Sequence, residues 1–277
     1  GTTWQAALRQ GWAAIRSAVD EAGAYVLSCW SRVPEIVGLP HAIRIGADKI
    51  SAWKAIRAVA EDLGKWYCEH NIAWCDDPDH LCLVDLTPAQ CRTWATMAGL
   101  TGTHLTFSDK PEAYAGEKLE IMRRILPVVT RPATRPLNLF QTGPAAIWTL
   151  EIDRPFDRWL VVANSSAGEP VETLDFAALG LDPAGAYAAY DFWNRRYLGV
   201  HTGCLRCGRP GEFDTQVFGL RAVRPHPWVV ATNRHISMGA VDLLAVAWDA
   251  ETNTLAGRSA VVVGDPYVVT IHVPAGW

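Results

Sequence analysis

At 277 residues and 49% hydrophobic content, the chain can fill a sizeable core, as one large domain or two ordinary ones. A formal net charge of −4 at pH 7 carries no basic excess, which argues against a nucleic-acid partner. No apolar run approaches the ~18 residues that mark a membrane span, so no transmembrane segment is expected.

Trp4, Leu8, Trp12, Ile15 and Val19 recur at helical spacing and predict an amphipathic first helix. It carries acids as well as bases, unlike a signal peptide. The chain starts at Gly1 without a Met, which reads as a processed product or a piece of a longer protein. After Gly23, residues 24–30 (AYVLSCW) read as a buried strand and 41–48 (HAIRIGAD) as a second. Trp53, Ile56, Val59, Leu63 and Trp66 form the stripe of the next helix, and 71–75 (NIAWC) a third strand. Thr87-Pro88 is a cap followed by proline in the first turn, opening a helix over 88–99. A fourth strand over 103–109 (THLTFSD) and a helix over 111–126 end this half at Pro127.

Apolar strands alternating with helices imply a parallel sheet covered by helices. The stretch 128–142, with Pro132 and Pro136, reads as a linker. From 143 to 277 the pattern changes to strands at 145–152, 157–166, 187–193, 215–223, 227–233, 241–248, 259–264 and 267–273, separated by turns such as Pro183-Ala184-Gly185. That spacing predicts an antiparallel β-sandwich.

In the first half, polar residues gather at strand ends. Cys29 and Trp30 follow the first strand, Arg44 and Asp48 end the second, Asp77 and Asp79 follow the third, and Asp109 follows the fourth. In a (β/α) barrel this rim carries the active site. Side-chain alternation puts Asp77 and Asp79 on one face and Asp76 on the other, and pairs Arg44 with Asp48. Pro78 favours a strand end over a strand centre. Asp109 is the better candidate for a helix cap, and Asp48 competes with Ser51 to cap the helix that follows. Paired carboxylates on such a rim suit glycoside hydrolysis, in which one protonates the leaving oxygen and another attacks or activates water.

The seven cysteines show no repeated spacing. Cys204 and Cys207 form one C-x-x-C pair, but a structural zinc needs two further ligands, so no metal is expected and an oxidised pair or two plain thiols is the better reading. The thirteen tryptophans suit sugar faces or core packing alike. His235 reads as structural, and Asn164-Ser165-Ser166 fits a glycosylation site.

The segments RIGADKISAW, WCDDPDHLCL, TWATMAGLTGTHLTFSD and LEIMRRILP resemble the second half of the catalytic barrel of melibiase-type α-galactosidases, glycoside hydrolase families 27 and 36. TLDFAALGLD, YAAYDFWNRRYLG, ATNRHISMG and LAGRSAVV are similar to the C-terminal sandwich of bacterial members. The resemblance implies the C-terminal half of a (β/α)8 TIM barrel followed by an antiparallel β-sandwich, and a retaining exo-glycosidase that takes an α-galactoside-containing oligosaccharide, with no cofactor. It makes Asp48 the acid/base, four residues after Arg44, and puts Arg44, Asp77, Asp79 and Cys29 around the sugar; His80, directly after the aspartate cluster, reads equally as a substrate contact or a surface residue. Trp30 stands where many relatives have an acidic residue. The nucleophile of the family, in a Lys-x-Asp motif at the end of strand four, has no counterpart here, so this chain alone is expected to be inactive. The alternatives are an α-N-acetylgalactosaminidase or an isomaltooligosaccharide-releasing enzyme on the same barrel, or a non-catalytic module holding glycan through residues such as Trp193 or Trp228.

Overall fold

The computed structural model describes residues 1–29, 32–129, 134–140 and 143–277. Its first half holds four helices and a small parallel sheet. They are α1 (Trp4–Glu21), β1 (Leu27–Ser28), β2 (Ala42–Arg44), α2 (Trp53–Trp66), β3 (Cys75–Asp77), α3 (Pro88–Thr101) and α4 (Gly116–Ile125). The sheet runs β1-β2-β3 with every pair parallel. The third strand begins where the expected one ends, because 71–74 fold back as a turn that closes through Asn71 N–H to Trp74 O. No fourth ladder forms among the described residues. Segment 103–109 lies alongside through His104 N–H to Asp76 O, Leu81 N–H to Thr106 O and a single parallel bridge, Leu81 to Phe107.

The helices follow their stripes. Ile56, Val59, Ala60 and Leu63 of α2 are buried against the sheet. Thr87 caps α3 with a reciprocal bond to Gln90, as the sequence indicates, and Gly102 ends it in the left-handed conformation. Gly99 lets α3 meet α4 closely, since a Cβ there would stand 2.7 Å from Ile125 Cγ2. Neither Asp48 nor Ser51 caps α2, whose first residue follows Ala52 with no side-chain bond. Asp109 caps nothing either; its carboxylate accepts the N–H of Leu83. In contrast to the other helices, α1 has no buried residue.

The second half is antiparallel throughout. A six-stranded sheet runs β4-β5-β6-β11-β8-β9. Its members are β4 (Arg135–Pro136), β5 (Ile147–Arg154), β6 (Asp157–Ser165), β8 (Ala186–Asp191), β9 (Arg196–Thr202) and β11 (Thr215–Ala222). Two-stranded pairs join β7 (Thr173–Asp175) to β10 (Cys204–Arg206), β12 (Trp228–Thr232) to β15 (Val269–His272), and β13 (Leu243–Asp249) to β14 (Thr254–Ser259). The β4 strand lies inside the stretch expected to be a linker. The expected strand at 259–264 is overturned, because β14 ends at Ser259 and Val261, Val262 and Val263 are exposed.

Alternation divides the large sheet between two cores. Trp148, Leu150, Trp159, Val161 and Val217 face the core shared with α2, α3 and α4, whereas Ile147, Leu160, Val162, Phe218 and Leu220 face Phe176 and Leu205. Two ion pairs, at least half-buried, fasten the two halves. Arg92 grips Asp214 at 3.0 and 2.6 Å, and Arg124 grips Asp265 at 2.7 and 2.8 Å.

Candidate active site

Parallel register brings Arg44 level with Asp77 on adjacent strands. The Arg44 Nε donates to Asp77 Oδ2 at 2.8 Å, and its Nη2 lies 3.0 Å from Asp79 Oδ1. Its Nη1 reaches Asp48 Oδ1 at 3.4 Å. One guanidinium therefore faces three carboxylates. Burial works against its charge, but the bond to Asp77 and the charges of Asp77 and Asp79 outweigh that and hold Arg44 above its ordinary pKa.

The three carboxylates differ in what they are free to do. Asp77 and Asp79 side chains are 2% exposed, while Asp48 is 89% exposed. Asp77 Oδ1 accepts the Asp79 N–H at 2.9 Å, which turns the chain after Pro78 and sets Asp79 at φ 80°. Aspartate tolerates that left-handed region better than most side chains. Asp79 Oδ1 then accepts the His80 N–H at 2.8 Å and lies 2.8 Å from the His80 ring Nδ1, and Oδ2 accepts the Lys49 N–H at 2.7 Å. Asp77 and Asp79 are thus locked acceptors, and Asp48 is the carboxylate open to a bound molecule.

Of the sequence-predicted residues, Arg44, Asp48, Asp77, Asp79 and His80 come together. Cys29 is exposed and lies near Arg44. Trp30 lies outside the described residues. Asp76 points to the opposite, helix-covered face, as parity requires. It is 1% exposed, and neither side-chain oxygen has a hydrogen-bond partner. Burial pushes its pKa up to about 7, against the pull of Arg32 and with the help of Glu69.

Sequence reasoning missed Lys49 and Asp62. Lys49 is buried and its Nζ sits 2.9 Å from Asp62 Oδ2 on α2. The signal was an off-stripe acid on α2 and a lysine inside the motif itself, neither of which periodicity picks out. The structure also places the residues of four other readings. Trp193 is half-buried and donates to Thr96 Oγ1, and Trp228 is buried and donates to Asp157. His235 is fully buried against Ser237. Asn164 is buried and bonded to Val171 and Gln216, out of reach of glycan transfer in the folded chain. Cys204 and Cys207 are free thiols, not an oxidised pair.

No family model and no curated protein matches the chain by sequence. Solved structures do match it. The β-L-arabinopyranosidase of glycoside hydrolase family 27 from Geobacillus stearothermophilus superposes with a TM-score of 0.63 at 18% identity, over 78% of this chain. The fold is that of family 27 glycoside hydrolases. The α-galactosidase of Saccharomyces cerevisiae, solved with raffinose, matches 78% of this chain and 68% of its own, with a TM-score of 0.60 at 10% identity. The α-galactosidase I of Mortierella vinacea gives a TM-score of 0.58 at 10% identity over 79% of this chain. The match covers 55% of the arabinopyranosidase, so this chain spans about half of that protein's length.

Proposed function

We propose that the chain is the sugar-binding and proton-donating half of a retaining exo-glycosidase that releases terminal α-linked galactose. Residues 1–127 would supply the C-terminal half of a (β/α)8 barrel, 128–142 the junction and 143–277 an antiparallel sandwich. The observation that carries the reading is the exposed Asp48, tethered by Arg44 beside the locked pair Asp77 and Asp79, on a fold shared with glycosidases. Asp48 protonates the leaving oxygen and then serves as base for the water that frees the sugar. Arg44, His80 and Cys29 line the sugar, with Asp77 and Asp79 fixing Arg44 at its edge, and the nucleophilic carboxylate comes from β/α units outside this chain. Two features support an incomplete barrel. The β1 edge of the sheet has no further strand among the described residues, and Trp4 and Ile15 of the α1 stripe are exposed although Leu8 and Trp12 pack on the core.

Release of nitrophenol from an aryl α-galactoside tests this. The chain alone should release none, and joining it to the four upstream β/α units should give turnover. Release by the chain alone that Asp48→Asn abolishes would show that the site is already complete and sink the half-site reading. With the joined protein, aryl α-N-acetylgalactosaminide and β-L-arabinopyranoside run in parallel identify the sugar.

A further inference from the structure

Asp48 lies on a short irregular segment between β2 and α2, which Ile45 N–H ties to Asp77 O at its start and which Lys49 fastens next to Asp48. The Lys49 side chain runs inward, buried, to meet Asp62 Oδ2 at 2.9 Å, while the Lys49 N–H points the other way and donates to Asp79 Oδ2 at 2.7 Å. Gly46 completes the arrangement. A Cβ at that position would stand 1.9 Å from Asp62 Oδ2 and 2.9 Å from Lys49 Nζ, so the ion pair occupies the space that a side chain would take. Gly46 has no left-handed φ, and its role here is therefore room alone.

We infer that Lys49 is a positioning residue, whose buried pair with Asp62 in the space left by Gly46 pins the turn that presents Asp48 and holds Asp79 against Arg44. The consequence for proton donation rests on the glycosidase reading, whereas the pinning itself does not. A lysine fixed at its backbone N–H and at its ammonium stiffens a segment whose one strand-to-strand bond, Ile45 N–H to Asp77 O, lies at its start. Asp48, whose contact is the 3.4 Å approach of Arg44, is then placed by the backbone rather than by its own side chain.

Amide hydrogen exchange on the 277-residue chain, read with the carboxyl carbon resonance of Asp48, tests the pin without any sugar. The double variant Lys49→Met/Asp62→Leu removes both charges together, leaving no unpaired ion to unfold the chain. It should raise exchange at the amides of 46–50 at least tenfold, leave α3 unchanged and move the Asp48 resonance. Gly46→Ala should do the same with both charges present. A folded double variant with wild-type exchange at Lys49 and an unmoved Asp48 signal would overturn the inference. The glycosidase reading is decided separately, by turnover in the joined protein.

Discussion

Asp76 and Asp77 are neighbours in sequence and opposites in chemistry. Asp77 is buried with an arginine and stays a charge partner, whereas Asp76 is buried among Leu63, Tyr67, Thr103 and Trp148 with no donor on either oxygen. Its folded pKa, about 7, lies above the ordinary carboxylate value. The folded state therefore holds this proton more tightly than the unfolded chain, and stability from this site is present below about pH 4 and lost as pH rises through 7. Asp76→Asn keeps the shape and removes the charge. Urea unfolding at pH 5 and pH 8 should show the variant gaining on wild type as pH rises, by on the order of 2–4 kcal/mol at pH 8. An equal difference at both pH values would mean that Asp76 does not titrate in this range.

At the scale of elements, the contacts between helices and sheets are the places where single changes should cost most. Gly99→Ala would drive a methyl group into Ile125, and a loss of roughly 1–3 kcal/mol is expected, partly restored by adding Ile125→Val. Arg124→Ala strands Asp265 and Glu120 at the junction of α4 with the 260–265 loop, and should cost roughly 3–5 kcal/mol in urea unfolding. The sequence showed α2 and α3 plainly, because buried stripes and the Thr87–Gln90 cap are local signals. It also showed the parity of Asp76 against Asp77 and Asp79. It misplaced the strand at 103–109, since the ladder is reduced to a few bonds that depend on tertiary neighbours. It missed β9 because an edge strand exposed on both faces shows no alternation. The run Val261 to Val263 misled in the opposite direction, since its β-branched residues read as a strand and the structure leaves them in a loop. Long-range pairs such as Lys49 with Asp62 leave no periodic mark at all.

At the scale of the whole molecule, one core runs from α2, α3 and α4 into the large antiparallel sheet, and α1 touches it only through half-buried residues such as Leu8 and Trp12. Trp4 is 62% and Ile15 47% exposed on a helix whose stripe was built to be covered. Ile15→Lys should therefore leave the stability of this chain within about 0.5 kcal/mol of wild type. In the joined protein the same change should be clearly destabilising, and differential scanning calorimetry of both forms separates the two cases. On the reading proposed above, Asp48 has a positioned arginine and two locked neighbours and takes its opposing nucleophile from outside this chain. The most direct test of that assignment is the leaving-group dependence of Asp48→Asn in the joined protein. If Asp48 is the proton donor, turnover of an alkyl α-galactoside should fall by about 10²–10⁴-fold. Turnover of a dinitrophenyl α-galactoside, whose leaving group needs no proton, should fall far less. Wild-type turnover of the alkyl substrate by the variant would contradict the account.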